Sequence, residues 1–196
     1  VAWPASSLLR YATLQSSLGP IARGQVSTEQ AALIEALPTS AQATLKGSQY
    51  LVEGRFGDLA QLDAALAEAH WTDLWFVDAL QLRAEWRSRV SNPGLSRSLG
   101  DQAIALIDRI SVIQPSLPAF AIRARAAINA DRPDVLVESV ANVAQWASAL
   151  ATNSGAEARA RSRATLGELL KLLDGSAKDP RIDAQRLEEV QRRINE

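Results

Sequence analysis

The sequence predicts an all-α protein made of antiparallel helix hairpins. Apolar residues recur at spacings of three and four along most of the chain, whereas no segment shows the alternation of apolar and polar residues that is typical of a strand. Ala, the strongest helix former, is abundant, while Phe and Tyr, which favour strands, number only three and two. Short breaks separate the periodic segments, so consecutive helices are expected to lie antiparallel.

Local signals set the bounds of the individual helices. A capping box from Ser27 to Gln30 opens the second helix, and Thr39 is expected to cap the third. The Ser-Asn-Pro-Gly run at 91–94 is expected to break the chain. The expected helices cover residues 5–18, 27–37, 39–54, 58–69, 72–90, 100–113, 117–130, 133–151, 157–173 and 183–195.

Charge and hydropathy limit the classes of partner. The chain has 21 basic and 22 acidic residues, split as 8 and 9 over residues 1–98 and as 13 and 13 over 99–196. This balance provides no field for nucleic acid or for an anionic membrane, so neither is an expected partner. No run of 18 apolar residues could span a bilayer. Because the chain starts at Val1 without Met, we expect an upstream segment, such as a signal peptide or a membrane tether.

The sequence offers little catalytic chemistry. The absence of Cys excludes disulfides, thiolate zinc sites and cysteine nucleophiles, and a single His, His70, excludes any site with two His ligands. The glycine-containing motifs of hydrolases, dinucleotide-binding folds and phosphate-binding loops are missing. His70, Trp71 and Asp73 are interpreted as a surface turn. We therefore expect no enzyme activity, no catalytic residue, no metal and no cofactor.

An internal repeat of 34 residues is the most informative pattern, because helix pairs at a fixed period are typical of a solenoid. Three apolar residues within 103–110 have counterparts 34 residues later, within 137–144. An earlier set, within 59–66, lies 44 residues before the set at 103–110. The extra ten residues match the length of 91–100, which is interpreted as a loop insertion. The three sets are Leu59, Asp63 and Leu66; Ala103, Ile107 and Ile110; and Val137, Ala141 and Ala144.

Gly47 is a small residue, Tyr50 is an aromatic residue three positions later, and Gly54 is a glycine at the expected hairpin. At these residues the chain resembles the tetratricopeptide repeat family. The resemblance covers 40–151 as three helix pairs, flanked by helices at 1–39 and by capping helices at 152–196. Asp63 departs from the pattern, since a large apolar residue is usual at that position.

In such arrays the first helix of each pair lines a concave groove, and the resemblance implies an apolar groove here with two Trp side chains. Such a surface suits an amphipathic helix or an apolar segment of a protein partner, with little dependence on salt. Two alternatives stay open: Trp75 and Trp86 are core residues, or the final helix of the chain fills the groove. The predicted groove residues are Leu51, Val52, Trp75, Asp78, Leu82, Glu85, Trp86, Ile122 and Asn129.

Some members of the family clamp the terminal carboxylate of a partner with basic and Asn side chains. Of the five matching positions only Arg123 carries such a group, so this mode is rejected. The other four positions hold Thr44, Ser48, Ala79 and Ala119.

These patterns predict a non-catalytic scaffold that binds a protein partner. We expect the soluble domain of a larger bacterial envelope protein, in the periplasm or attached to the membrane, with the cytoplasm as the alternative compartment. The alternative function is a periplasmic helical-repeat domain of a membrane polysaccharide polymerase or an O-antigen ligase-type glycosyltransferase, which contributes to glycan handling. A competing class is an enzyme or sugar-binding module, in which a sugar ring would stack on Trp86 beside Glu85.

Overall fold

The structure is a computed structural model that describes residues 27–90, 92, 94–153 and 155–176 and the single positions 182, 185, 188, 190 and 192. Within these residues the regular elements are all helical and no strand occurs, which confirms the predicted all-α class. The helices are α1 (Thr28–Glu35), α2 (Thr39–Val52), α3 (Phe56–Leu59), α4 (Asp63–Ala67), α5 (Phe76–Ser88), α6 (Ser96–Ile113), α7 (Leu117–Asn129), α8 (Pro133–Asn153) and α9 (Ala156–Ser176), with a 3-10 turn at Ala60–Leu62.

The predicted helices at 117–130, 133–151 and 157–173 match α7, α8 and α9 to within three residues at each end. The predicted first helix, at 5–18, lies outside the described residues. Of the predicted last helix, Gln185, Glu188, Val190 and Arg192 are described and have helical backbones. No helix in the described ranges is long and apolar enough to cross a membrane.

Several predicted bounds in the first half were wrong. Thr39 is the first residue of α2 and not its cap, because Pro38, in an extended conformation, provides the carbonyl that receives the Ala41 N–H. The helix predicted at 58–69 is instead α3, the 3-10 turn and α4 in succession. The helix predicted from residue 72 begins at Phe76, because the preceding residues form a separate turn.

The predicted insertion at 91–100 is only partly a loop. α6 begins at Ser96, and its first turns occupy the second half of that segment. Asn92 sets this early start: its backbone carbonyl accepts the Ser96 N–H at 2.8 Å, and its side-chain Oδ1 accepts the Gly94 N–H at 3.0 Å. Asn commonly provides such bonds at the entry to a helix, and as a result the loop before α6 ends at residue 95 and not at residue 99.

The chain divides into two compact units, Val1–Trp86 (unit 1) and Arg87–Glu196 (unit 2), and the boundary falls near the end of α5. In unit 1, α2 packs against α3 and α4. The centre of the unit is an apolar cluster in which the Tyr50 ring is buried. The other buried members of the cluster are Ala43, Leu59, Leu66, Ala79 and Leu82.

Small residues permit a close approach within this core. A Cβ on Gly47 of α2 would lie 2.9 Å from Leu82 Cδ1 and 3.4 Å from Leu59 Cδ2. Real Cβ atoms essentially never come as close as the first distance, so a side chain at position 47 would require the end of the Leu82 side chain to shift.

The end of α2 is a glycine-terminated Schellman turn. Gly54 has φ +72°, its N–H bonds to the Leu51 carbonyl at 3.3 Å, and the Arg55 N–H bonds to the Tyr50 carbonyl at 2.8 Å. In unit 2 the end of α7 closes in the same way around Asp131, which has φ 57°. There the Asp131 and Arg132 N–H groups bond to the carbonyls of Ile128 and Ala127.

Replacing Gly54 by Ala is expected to lower the free energy of unfolding by about 1 kcal/mol, because an L side chain is strained in the left-handed region. No atom lies within 4 Å of the position that a Cβ would occupy, so the loss measures backbone conformation alone. Urea unfolding would measure it. Gly57→Ala is the matched control, since Gly57 has equal space and lies in α3; it should leave stability unchanged or raise it slightly.

Unit 2 is built around α7. α6 and α8 both pack against this helix, and α9 packs against α8. Most residues of α7 between Ala119 and Ala127 are buried, as expected for a helix with neighbours on several sides. Its start is fixed by Ser116, whose hydroxyl accepts the Ala119 N–H, and by a Pro in the first turn.

A buried polar network joins three helices of unit 2. Arg123 of α7 donates to Asp108 of α6 at 2.8 Å and to Glu138 and Ser139 of α8, both at 3.1 Å. The guanidinium is nearly buried, and the two carboxylates compensate its charge while Nε and Nη1 find acceptors. At the start of α8, hydrogen bonds from Arg132 lower the pKa of the Asp134 carboxyl below its ordinary value.

Candidate partner-binding surface

Seven of the nine predicted groove residues belong to unit 1, and most of them are in its core. Leu82, Trp75 and Glu85 are buried, with exposed fractions of 3%, 4% and 4%. Leu51, Trp86 and Asp78 are half-buried. Leu51 and Trp86 pack against the cluster that contains Leu82, so the structure brings these three together as core. Only Val52 is exposed, and it lies at the last residue of α2.

Trp75 is held inside unit 1 by contacts on both its apolar and polar sides. Its ring packs with Ala41, and Leu37 and Ala69 add to the same cluster. Its indole N–H donates to the hydroxyl of Ser40 at 3.0 Å, and Ser40 is itself buried. A buried indole N–H needs such an acceptor, so the site is adapted to this side chain. Trp75 is therefore a core residue, the first of the two alternatives considered from the sequence.

Trp86 is fixed by Asp63, the residue that departs from the repeat pattern. One carboxylate oxygen, Oδ1, accepts from the Trp86 indole N–H and from the Arg83 Nε, both at 3.1 Å. The acid thus links α4 to α5 where an apolar residue was expected. Trp86 is half-buried, and Glu85 beside it is buried.

The two predicted groove residues of unit 2 also have structural contacts. Ile122 is buried. Asn129 is half-buried, and its amide donates to the Ser88 carbonyl at 2.7 Å and to the Val90 carbonyl at 3.4 Å. Arg123, the one match to a carboxylate clamp, is paired with Asp108 and Glu138 of its own unit, which agrees with the rejection of that mode.

A different part of unit 1 presents apolar side chains to solvent. Trp71 exposes 72% of its surface and Leu74 exposes 37%, and both lie in the turn between α4 and α5. Asp73 closes this turn: its N–H bonds to the His70 carbonyl at 2.8 Å and its carboxylate accepts the His70 N–H at 2.7 Å. The His70 and Trp71 rings lie 5.7 Å apart. We call residues 70–74 the Trp71 turn.

The Trp71 turn agrees with the surface turn expected at His70, Trp71 and Asp73, for which the sequence indicates no role in binding. Trp side chains are highly buried on average, so the 72% exposure of Trp71 is the informative feature of this turn. The spacing of Trp71 and Trp75 gave no signal for this difference in exposure, because residues four apart share one face of a helix.

Comparisons of the chain with protein-family models, with curated proteins and with solved structures gave no match. Within the part of the chain that the structure describes, no group of His, Asp and Glu side chains is arranged to hold a metal ion.

Proposed function

We propose that the protein is a non-catalytic helical scaffold that binds an apolar segment of a protein partner through the Trp71 turn. The observation that carries this proposal is the exposure of Trp71 beside Leu74. Trp is the side chain most enriched among residues that dominate binding energies at interfaces, and it contributes most where a neighbouring apolar residue helps to exclude water. The Trp71 turn takes the place of the groove predicted from the sequence, because the Trp and Leu residues of that groove belong to the core or pack against it.

We further propose that the helices are stacked as tetratricopeptide-like pairs. The close approach of Leu82 to Gly47 and the recurrence of the Schellman turn at Gly54 and Asp131 support this arrangement. The burial of the recurring positions also supports it, since five of the six on α6 and α8 are buried and Ala141 is half-buried. The bacterial envelope setting stays a prediction from the sequence.

A photo-cross-linking amino acid in place of Trp71, introduced in the cells that make the protein, tests the proposed surface. We expect one discrete protein adduct from position 71. The matched control is the same amino acid in place of Val52, which is equally exposed at 72% but lies at the end of α2 and outside the Trp71 turn. It should give no such adduct.

The second part of this test uses the partner protein that the adduct identifies. The purified partner is titrated with the unmodified protein and with its Trp71→Ala variant, and the two affinities are compared. The substitution should weaken binding by about 2 kcal/mol or more, the magnitude of an interface hot spot. Calorimetric titration measures it. An adduct from position 52 and not from 71, or an unchanged affinity for Trp71→Ala, would contradict the proposal.

A further inference from the structure

The Trp71 turn and the first residue of α5 form two successive hydrogen-bonded turns, each with an apolar residue at its second position. The Asp73 N–H bonds to the His70 carbonyl at 2.8 Å in the first, and the Phe76 N–H bonds to the Asp73 carbonyl at 3.1 Å in the second. Trp71 and Leu74 occupy the second positions and expose 72% and 37% of their surfaces. The two side chains therefore project from neighbouring corners of the backbone.

Side-chain hydrogen bonds hold the first of these turns in one conformation. The carboxylate of Asp73 accepts the His70 N–H at 2.7 Å, and the Nδ1 atom of His70 lies 2.8 Å from the Thr72 hydroxyl. A segment that is already ordered loses little conformational entropy when it binds. The turn is therefore organised for binding before a partner arrives.

The exposed apolar surface of the turn is small and protruding, which restricts the shape of the partner. A Trp side chain buries at most about 250 Å², whereas a stable interface buries about 800 Å² on each partner. Two copies of the chain that met only at their Trp71 turns would bury too little surface for a stable dimer. Because Trp71 is 72% exposed, a flat surface or a single helix would cover one side of the ring. A concave pocket would remove the whole ring from water, as is typical of the side chains that dominate binding energies.

The indole N–H of Trp71 adds a polar requirement. The other two described Trp residues of unit 1 donate to acceptors within it, Trp75 to the Ser40 hydroxyl at 3.0 Å and Trp86 to the Asp63 carboxylate at 3.1 Å. Among the residues that the structure describes, no acceptor lies on the Trp71 N–H. Since a buried indole N–H needs an acceptor, a pocket that encloses this ring must supply one.

From these observations we propose that the apolar segment bound by the Trp71 turn lines a preformed pocket on a folded protein partner. The Trp71 ring inserts into the pocket, Leu74 covers its rim, and an acceptor atom of the pocket bonds to the indole N–H. This inference rests on the proposed function and adds the class of partner. The surroundings of Trp75 show the same chemistry, since apolar side chains pack around that ring and the Ser40 hydroxyl accepts its N–H.

The photo-cross-linking amino acid at position 71 tests the shape of the partner. A pocket is built from several segments of a folded chain, so we expect attachment sites in at least two segments that are distant in the partner sequence. A single helix or extended segment would instead give attachment within one run of about ten residues, since such a run already spans about 15 Å of helix. Peptide mapping of the adduct by mass spectrometry distinguishes the two patterns.

Competition tests the requirement for the indole N–H. Purified protein without the cross-linker is added to an extract of the cells together with the protein that carries the cross-linker at position 71, and the concentration that halves the adduct yield is measured. Benzothienylalanine in place of Trp71 keeps the two fused rings but has no N–H donor. We expect this variant to need an about fivefold higher concentration than the unmodified protein, because the acceptor in the pocket is left unpaired.

The same competition tests the role of the closed turn. Asp73→Ala removes the carboxylate that accepts the His70 N–H and should raise the required concentration at least about threefold. Asp73→Asn is the conservative variant, since its amide oxygen can still accept this N–H, and it should compete nearly as well as the unmodified protein. Asp58→Asn, which removes a carboxylate paired with Arg55 outside the turn, should also compete equally. Circular dichroism checks that each variant is folded.

The outcomes separate this inference from the proposed function. Attachment within one run of residues, or full competition by the benzothienylalanine variant, would overturn the pocket and leave the Trp71 turn in place as a protein-binding surface. Equal losses in Asp73→Ala and Asp73→Asn would overturn the role of the closed turn. Absence of a discrete adduct from position 71 would contradict the proposed function itself, and the inference with it.

Discussion

Replacing Trp75 by Ala is expected to lower the free energy of unfolding by about 3–5 kcal/mol, the usual cost of truncating a large buried aromatic side chain. The ring fills the space between Ala41, Leu37 and Ala69, so its removal leaves a cavity. The substitution also removes the donor that satisfies the buried hydroxyl of Ser40. Urea unfolding followed by circular dichroism measures the change.

Trp71→Ala is the matched control. It truncates the same type of side chain only four residues from Trp75, but at a position that is 72% exposed. It should change the free energy of unfolding by no more than about 0.5 kcal/mol, as surface substitutions usually do. If the two substitutions destabilise the protein equally, Trp71 is packed in solution and the Trp71 turn is not an open surface. If Trp75→Ala is neutral, the core assigned to unit 1 is wrong.

Replacing Gly100 by Ala is expected to cost about 3 kcal/mol, at the upper end of the range for overpacking a core. A Cβ at this position of α6 would lie 2.7 Å from both the Ala126 carbonyl oxygen and the Ala130 nitrogen, and 3.0 Å from the Ala130 Cβ. Two of these atoms are backbone, so neither can move aside without separating α6 from α7. Thermal or urea unfolding of the variant measures the loss.

Gly167→Ala is the same chemical change as Gly100→Ala, but it is expected to raise the free energy of unfolding and not to lower it. Gly167 lies inside α9, and no atom is found within 4 Å of a Cβ built there. Ala should therefore raise stability by about 0.5–1 kcal/mol, since it has the higher helix propensity. A stable Gly100→Ala variant would show that α6 and α7 do not approach as closely as the structure indicates.

The helices of the second half were predictable because their local signals agree with their packing. Ser116 and the Pro after it specify the start of α7, and apolar spacing along α6 matches its buried face. The segment between α4 and α5 was not predictable in this way. On one helix Trp71 and Trp75, four residues apart, would share a face. The hydrogen bonds of Asp73 replace that helical turn, so Trp71 points to solvent while Trp75 is buried.

Most of the predicted groove residues are buried or half-buried for a related reason, since a periodic pattern identifies a buried face without showing what covers it. The polar contacts of Asp63 with Arg83 and Trp86, and of Arg123 with Asp108 and Glu138, join residues 15 to 23 positions apart. Pairs this far apart in the sequence cannot be predicted from the spacing of residues along one helix.

Fluorine NMR of the chain labelled with 5-fluorotryptophan tests most directly where a partner binds. The five Trp residues each give one resonance, which single Trp→Phe substitutions assign. On addition of the partner protein identified by cross-linking from position 71, we expect the Trp71 resonance to shift while those of Trp75 and Trp86 stay in place, because the bound apolar segment covers only the exposed ring. A shift of Trp75 or Trp86 with Trp71 unchanged would restore the groove and contradict the Trp71 turn as the binding surface.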